Sequence, residues 1–316
     1  MRHLGYNLNG TFSTGFPAWT DSRLQVKVVK NVMTAQEVLM ILVIDAINRK
    51  HHTRLLEEMF RLRARVFAGR LGWDVEVSNG MEFDEFDMQD PIYLLGLDDA
   101  DNVVSCVRLL QTTGPHMLSD VFSDILQGDP PLRAPTVWEA TRFCVDTERL
   151  GMEHRGKGSV ARATSELMSA IFDYARGCGI LDIIGVVDPV MNRVLIRSDN
   201  APYDYLGKTV QMGKTKAMAA LMDCTQDRID RVRAFAGIDY DVMVDEAALL
   251  QRLAARPVTA SSLTEPLAQY LIDQIDAAQD PAELATTLAL IDHVLEDQPQ
   301  AGADPVAPQK ESLGSA

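Results

Sequence analysis

The sequence predicts an α+β protein, a sandwich built on one mixed sheet with helices packed against it. Three observations carry that expectation. Two apolar runs, 93–97 and 103–110, flank the turn sequence DDADN and read as a β-hairpin. An amphipathic helix precedes them, with Leu55, Met59, Leu62 and Val66 recurring at helical spacing. A strand, a long helix and a buried strand follow. The order helix, antiparallel hairpin, strand, helix, strand is that of a layered α+β domain.

Taken in order, residues 1–36 lack sustained periodicity and read as a loose N-terminal arm, with Met33 and Met40 as alternative translation starts. A first strand is expected at 38–44 (VLMILVI) and the amphipathic helix over 52–67, giving way at Gly69 to Gly72. After the hairpin, TVWEATRFCV (136–145) reads as a strand preceded by Pro135. A long helix covers 159–176 and stops at Gly177 and Gly179. LDIIGVV (181–187) reads as a buried strand and 192–198 as a short helix. Beyond about residue 240 Ala, Leu, Gln and Asp dominate, Pro257, Pro266 and Pro281 punctuate, and three short helices are expected. The last twenty residues have the composition of a disordered tail. The expected organisation is an arm (1–36), a main domain (37–240) and an acidic helical extension (241–316).

Composition excludes several classes. The 316 residues carry a net charge of −15. Residues 241–316 hold 13 acidic and three basic side chains, a net of −10, so the first 240 carry only −5. That balance argues against non-specific nucleic-acid binding. The longest apolar run, 38–44, is too short to span a bilayer and is interrupted at once by Asp45. No secretory signal pattern opens the chain. Cys106, Cys144, Cys178 and Cys224 are scattered without a C-x-x-C pair. A cytoplasmic protein with reduced thiols, and neither zinc site nor disulfide framework, is expected.

The most informative stretch is 60–87, FRLRARVFAGRLGWDVEVSNGMEFDEFD. Arginines and one tryptophan, Trp73, precede Glu82, Asp84, Glu85 and Asp87, four acids within six positions. Carboxylates this crowded repel one another. They need a cation, either arginine from the same fold or a charged ligand.

That stretch opens an ordered series of motifs: RLRARVFAGRLGWD, GMEFDEFD, YLLGL, VRLLQTT, MLSDVF around Phe122, VWEATRF, GVVDPVMNRVLIR at 185–197 and YLGKTVQMGKTKAMA at 205–219. In spacing and order the series resembles the acyl-homoserine lactone synthases of the LuxI type. The resemblance covers roughly residues 38–225, and the arm and the C-terminal region have no counterpart in the family's compact form. It implies an acetyltransferase-like (GCN5-related N-acetyltransferase) α/β/α sandwich with a mixed central sheet, here followed by a C-terminal helical extension. It implies an enzyme that joins S-adenosylmethionine to the acyl chain of an acyl carrier protein or acyl-CoA thioester and releases methylthioadenosine. S-adenosylmethionine is then a substrate, and neither a cofactor nor a metal is implied.

By that resemblance the family's invariant positions fall on Arg65, Phe67, Trp73, Asp84, Asp87, Arg108, Phe122, Glu139, Arg142 and Phe143. Thr141 stands for the usual serine and keeps a hydroxyl, Asn192 stands for the usual acid before Arg193, and the usual Gly-Trp is replaced around 198–202. Glu139 is the candidate general base, with Thr141 and Arg142 beside it; a strand glutamate paired with a surface lysine is the plain alternative. On an ideal strand Glu139 and Thr141 share a face and Arg142 points the other way. A β-bulge is therefore required to gather all three. Arg65, Phe67, Trp73, Asp84, Asp87, Arg108, Phe122 and Phe143 are the candidate S-adenosylmethionine residues: acids for the sulfonium and amine, arginines for the carboxylate, rings to cover the ligand. A salt-bridge network that only pins the loop after the first helix is the alternative.

In HRGKGSVARA, Arg155, Gly156, Lys157 and Gly158 stand at a helix N-terminus, a place that favours phosphate and hence a pantetheine arm. A plain helix-start loop is the alternative. With Arg149 and Arg162 the basic side chains form a candidate docking site for an acidic carrier protein. Met152, Leu167, Met168, Ile171, Ile184 and Val186 are candidates for an acyl tunnel, against ordinary core packing for each. The competing functions are an acyl-CoA-dependent N-acyltransferase acting on another amine, which releases no methylthioadenosine, and a non-catalytic binder of acyl carriers.

Overall fold

Nine strands are present among the described residues of the computed structural model, which are 39–152, 156–254 and 265–296. They are β1 (Met40–Ile44), β2 (Val77–Ser78), β3 (Met81–Glu82), β4 (Ile92–Leu97), β5 (Val103–Gln111), β6 (Val137–Val145), β7 (Asp182–Val187), β8 (Asp204–Met212) and β9 (Thr215–Asp223). β2 and β3 make a small ribbon, and the other seven form one sheet in the order β1-β4-β5-β6-β7-β9-β8. β6 and β7 run parallel, and the remaining pairs are antiparallel, so the sheet is mixed as expected.

The helices are α1 (Thr53–Arg63), α2 (Met117–Asp120), α3 (Thr147–Met152), α4 (Gly156–Gly177), α5 (Pro189–Arg197), α6 (Gln226–Ala236), α7 (Glu246–Ala254), α8 (Glu265–Ala277) and α9 (Pro281–Glu296). α1 runs on into a π-helical segment, Ala64–Arg70. α5 starts three residues earlier than its apolar pattern indicates, because Asp188 caps it by accepting the Met191 N–H at 2.7 Å and Pro189 fits the first turn. The β8–β9 hairpin and α6 were not expected; Gly213, at φ +56°, turns the hairpin. The arm at 1–36 and the tail at 297–316 lie outside the described residues.

β4 and β5 are buried almost throughout because helices cover both faces. On one face Leu94, Val107, Leu109 and Trp138 pack with Leu167, Met168 and Phe172 of α4. On the other, Leu42, Leu95 and Cys106 pack with Leu55, Met59 and Leu62 of α1. α7 adds Leu249 to this second cluster. The chain just before α7 hydrogen-bonds to β1 through Ile41, Val242 and Val244. Glu246 at the start of α7 holds His52 at 2.6 Å and Asn48 at 3.3 Å.

Two irregularities shape the site. Cys106 pairs with Cys144 and Arg108 with Thr141, so β6 carries one residue more than β5 between these pairs. The extra residue is a β-bulge at Arg142, which takes φ +53°. The parallel pairing of β6 with β7 runs from Val137 and Asp182 only to Ala140 and Gly185. Beyond that point β6 continues to Val145, and the two strands part.

Candidate active site

The bulge decides which side chains meet. Glu139 and Thr141 face the α1 side of the sheet, and the added residue turns Arg142 to the same side. Phe143 then packs against the α4 cluster on the opposite face. A left-handed backbone costs a non-glycine residue about 1–2 kcal/mol, and strain of this kind gathers at functional sites.

Arg142 joins a network drawn from α1, β3 and the turn that follows it, β4, β5 and β6. From α1, Arg63 donates to both oxygens of Asp87 at 2.8 and 2.9 Å and to Glu82. Arg108 of β5 holds both oxygens of Asp84, lies 2.8 Å from Asp87 and donates through Nε to the Thr141 hydroxyl at 3.0 Å. Arg142 reaches Glu82 at 2.9 Å and Asp84 at 2.6 Å. Tyr93 donates its hydroxyl to Asp87 at 2.7 Å, and the Asp84 N–H does so at 2.9 Å. Three guanidinium groups thus face three carboxylates, and no net charge is buried. Burial opposes ionisation of Asp87, but Arg63, Arg108 and the Asp84 amide outweigh it and hold the carboxyl well below the usual range. Asp84 and Arg142, 18% and 11% exposed, form the solvent-facing end of the network.

Aromatic rings wrap these cations. Arg63 lies 5.2 Å from the Phe60 centroid, Arg108 5.6 Å from Phe86 and Arg142 5.6 Å from Phe67. Phe67 stacks on Trp73 at 5.1 Å and 15°, with Phe67 buried and Trp73 43% exposed. The π-helical segment places this pair: Leu71 and Trp73 bond back to the carbonyls of Val66 and Phe67. Phe122 packs beside Phe86, Leu110 and Met117 at the edge of the network.

Glu139 is fully buried, and its two oxygens accept the N–H groups of Met117 (2.7 Å) and Leu118 (2.8 Å) at the start of α2. Burial pushes its carboxyl up to about 7, against the pull of these amides and of Arg108. Met117 connects the two halves of the site. Its amide binds Glu139, while its sulfur lies 3.4 Å from Arg108 and 3.5 Å from Arg142.

Several expected residues stand elsewhere. The Arg65 side chain is 52% exposed and pairs with Asp146 at 2.7 Å, outside the network. Arg149 pairs with Asp98 at 3.3 Å, and Arg162 is held by Glu166 and the Tyr240 hydroxyl. Arg155 lies outside the described residues, as do the side chains of Met152 and Lys157; Gly156 and Gly158 fall in the first turn of α4. Leu167, Met168 and Ile171 pack on the α4 face, whereas Ile184 and Val186 join an apolar cluster with Leu118 and Ile125 on the Glu139 side. Three network members, Arg63, Glu82 and Tyr93, were not among the expected binding residues. Arg63 follows Met59 by four positions and so lies on the buried stripe of α1. Glu82 is delivered by the Asn79-Gly80 turn, a strong hairpin signal.

A mixed sheet covered by helices on both faces, with the buried Glu139 carboxylate beside the point where β6 and β7 part, makes up the candidate site. Residues 46–232 match the autoinducer synthase family. A probable acyl-homoserine-lactone synthase of Sinorhizobium fredii (strain NGR234) is 35% identical over 195 residues, which are 62% of this chain and 92% of that protein. The acyl-homoserine-lactone synthase of Agrobacterium fabrum is 33% identical over 192 residues, 61% of this chain and 90% of its own. Among solved structures, the CoA-dependent acyl-homoserine lactone synthase BjaI, with SAM and isopentyl-CoA, superposes with a TM-score of 0.57 at 26% identity over 65% of this chain and 92% of its own. The synthase LasI gives 0.55 at 28% identity over 63% and 96%. The chain belongs to the autoinducer synthase family.

Proposed function

We propose that the protein makes an N-acyl homoserine lactone from S-adenosylmethionine and an acyl thioester of carrier protein or coenzyme A. The observation that carries this reading is the bulge at Arg142, which sets Glu139, Thr141 and Arg142 on one face of β6 against Arg108 and Asp84. An ammonium has no lone pair with which to attack a thioester. Glu139, with a proton affinity matched to neutral pH, takes the proton from the substrate amine. The amine then attacks the thioester carbonyl, the C–S bond breaks, and the carrier thiol leaves with a proton. Arg142, at the open end of the network and held there by Asp84, which Arg108 grips from behind, orients the methionyl carboxylate, and the Phe67–Trp73 stack covers the substrate. Attack of that carboxylate on the γ-carbon closes the lactone. The sulfonium takes the electron pair of the breaking bond and leaves as methylthioadenosine.

Among the described residues no helix is long and apolar enough to cross a membrane. We place the reaction in the cytoplasm, where both substrates are made. The test is to incubate purified protein with S-adenosylmethionine and a series of acyl-CoA and acyl-carrier thioesters, with products read by mass spectrometry. Lactone and methylthioadenosine in equal amounts are expected. An acylated product without methylthioadenosine would assign the chain to the N-acyltransferases acting on other amines.

A further inference from the structure

Outside the ion network, the segment 112–120 contributes the two amides that the Glu139 carboxylate accepts, and it is braced by side-chain bonds of its own. Arg133, an exposed residue on the loop before β6, grips it. One terminal nitrogen of Arg133 lies 3.3 Å from the carbonyl oxygen of Thr112, 3.5 Å from that of Thr113 and 2.6 Å from that of Gly114. The other donates to the Ser119 hydroxyl at 3.2 Å. Ser119 in turn donates to Asp120 at 2.7 Å, and its hydroxyl oxygen lies 3.0 Å from the His116 carbonyl oxygen. The His116 N–H donates to Asp120 at 3.2 Å, and its imidazole Nδ1 donates to the Gly114 carbonyl at 3.0 Å. At the near end the Thr112 hydroxyl bonds the carbonyls of Ala134 and Val137.

One planar guanidinium therefore fastens both ends of the segment, and Met117 and Leu118, the donors to Glu139, lie between its anchor points. A fork with fixed geometry suits this bracing better than a flexible ammonium. We infer that Arg133 is a positioning residue for the reaction, holding the 112–120 bracket so that its Met117 and Leu118 amides orient the Glu139 carboxylate. This rests on the reading of Glu139 as the general base. Arg133 itself touches no reacting atom. Loosening the bracket lengthens the amide bonds to Glu139, and a carboxylate that loses donors to its charged form binds its proton more tightly.

The experiment compares wild type, Arg133→Met, Arg133→Lys, Ser119→Ala and Glu139→Gln in kcat, KM for S-adenosylmethionine, pH profile and thermal midpoint. For Arg133→Met we expect kcat lower by about tenfold, part of the 10²- to 10⁴-fold that a positioned base supplies. KM should stay within about twofold, because ground-state binding is untouched. The pH midpoint of kcat should move upward, with partial return in Arg133→Lys and a smaller shift of the same sign in Ser119→Ala. A fall in kcat with an unmoved pH midpoint, or a lower thermal midpoint with wild-type kinetics, overturns the inference. If Arg133→Met does not fold, an unmoved midpoint in Ser119→Ala overturns it. If Glu139→Gln is inactive while Arg133→Met keeps wild-type kcat and pH midpoint, this inference fails and the base reading stands. A fully active Glu139→Gln sinks both.

Discussion

Glu139 and Arg142, three residues apart on one strand, both reach Met117, one at its amide and the other at its sulfur. An odd spacing on a regular strand sends two side chains to opposite faces. The bulge at Arg142 removes that obstacle, and the network beyond it depends on the change of face. Lysine at 142 keeps the charge but cannot span Glu82 and Asp84 with one planar group. Arg142→Lys is therefore expected to lower kcat/KM for S-adenosylmethionine by roughly 10- to 100-fold, the worth of one charge-assisted hydrogen bond in a partly buried site. Arg65→Met should change it by less than about fivefold, since an exposed ion pair such as Arg65–Asp146 contributes about 0–1 kcal/mol. Steady-state kinetics on both variants checks the pair. Equal losses would place Arg65 back in the binding site.

How far the sequence reached is clearest at this network. Its strands and long helix follow from periodicity, and the requirement for a bulge follows from the parity of Glu139, Thr141 and Arg142 only once the family resemblance puts all three in one site. The partners of the acids do not. Arginines 61, 63, 65 and 70 crowd the end of α1 and the π-helical segment, and only three-dimensional packing selects Arg63 for the interior and leaves Arg65 outside. π-helical winding has no simple residue signature, so the Phe67–Trp73 stack was legible as two aromatic residues but not as a stack. The β8–β9 hairpin was missed because β8 is an exposed edge strand, with few of the buried apolar positions on which strand recognition depends.

With a carboxyl raised to about 7, Glu139 is a base only when it has lost its proton. The rate is expected to rise as pH increases through about 7 and to level off above it, and Glu139→Gln should give a flat profile at a rate lower by 10²- to 10⁴-fold. The linkage sign is opposite for stability. The folded state keeps a proton that the unfolded chain releases between about 4.5 and about 7, so this group's contribution to stability declines as pH rises across that window. Urea titrations of wild type and Glu139→Gln at pH 5 and pH 8 should show the decline in the first and not in the second.

Asp87 titrates in the other direction. Its folded-state pKa is depressed, so the unfolded chain binds the proton first as acid is added. The stabilisation is fully present above the ordinary carboxylate value of 3.8 and is lost as pH falls below it towards the folded value. Asp87→Asn removes this acid-sensitive part but leaves Arg63 and Arg108 buried with one counter-charge fewer, at a cost of about 3–5 kcal/mol near neutrality. Urea midpoints measured from pH 2 to 7 should therefore start lower in the variant and converge with wild type in acid. A variant as stable as wild type at pH 7 would mean the network is solvated rather than buried.

Leu249 tests what the C-terminal region contributes. It lies in α7, beyond the residues matched to the family, yet it is fully buried among Leu55, Met59 and Leu62 on the helix that supplies Arg63. If residues 241–254 are part of the core, Leu249→Ala opens a cavity there and costs about 2–5 kcal/mol, the same range as Leu62→Ala on α1. An appendage that merely rests on the domain would give about 0.5 kcal/mol or less, as surface substitutions do. The cavity also borders the helix that positions Arg63 against Asp87 and Glu82, so affinity for S-adenosylmethionine should fall together with stability. Denaturation midpoints of the two variants, read beside KM for S-adenosylmethionine, separate the outcomes: matched losses make α7 a structural wall of the binding network, and a silent Leu249→Ala makes it a peripheral attachment.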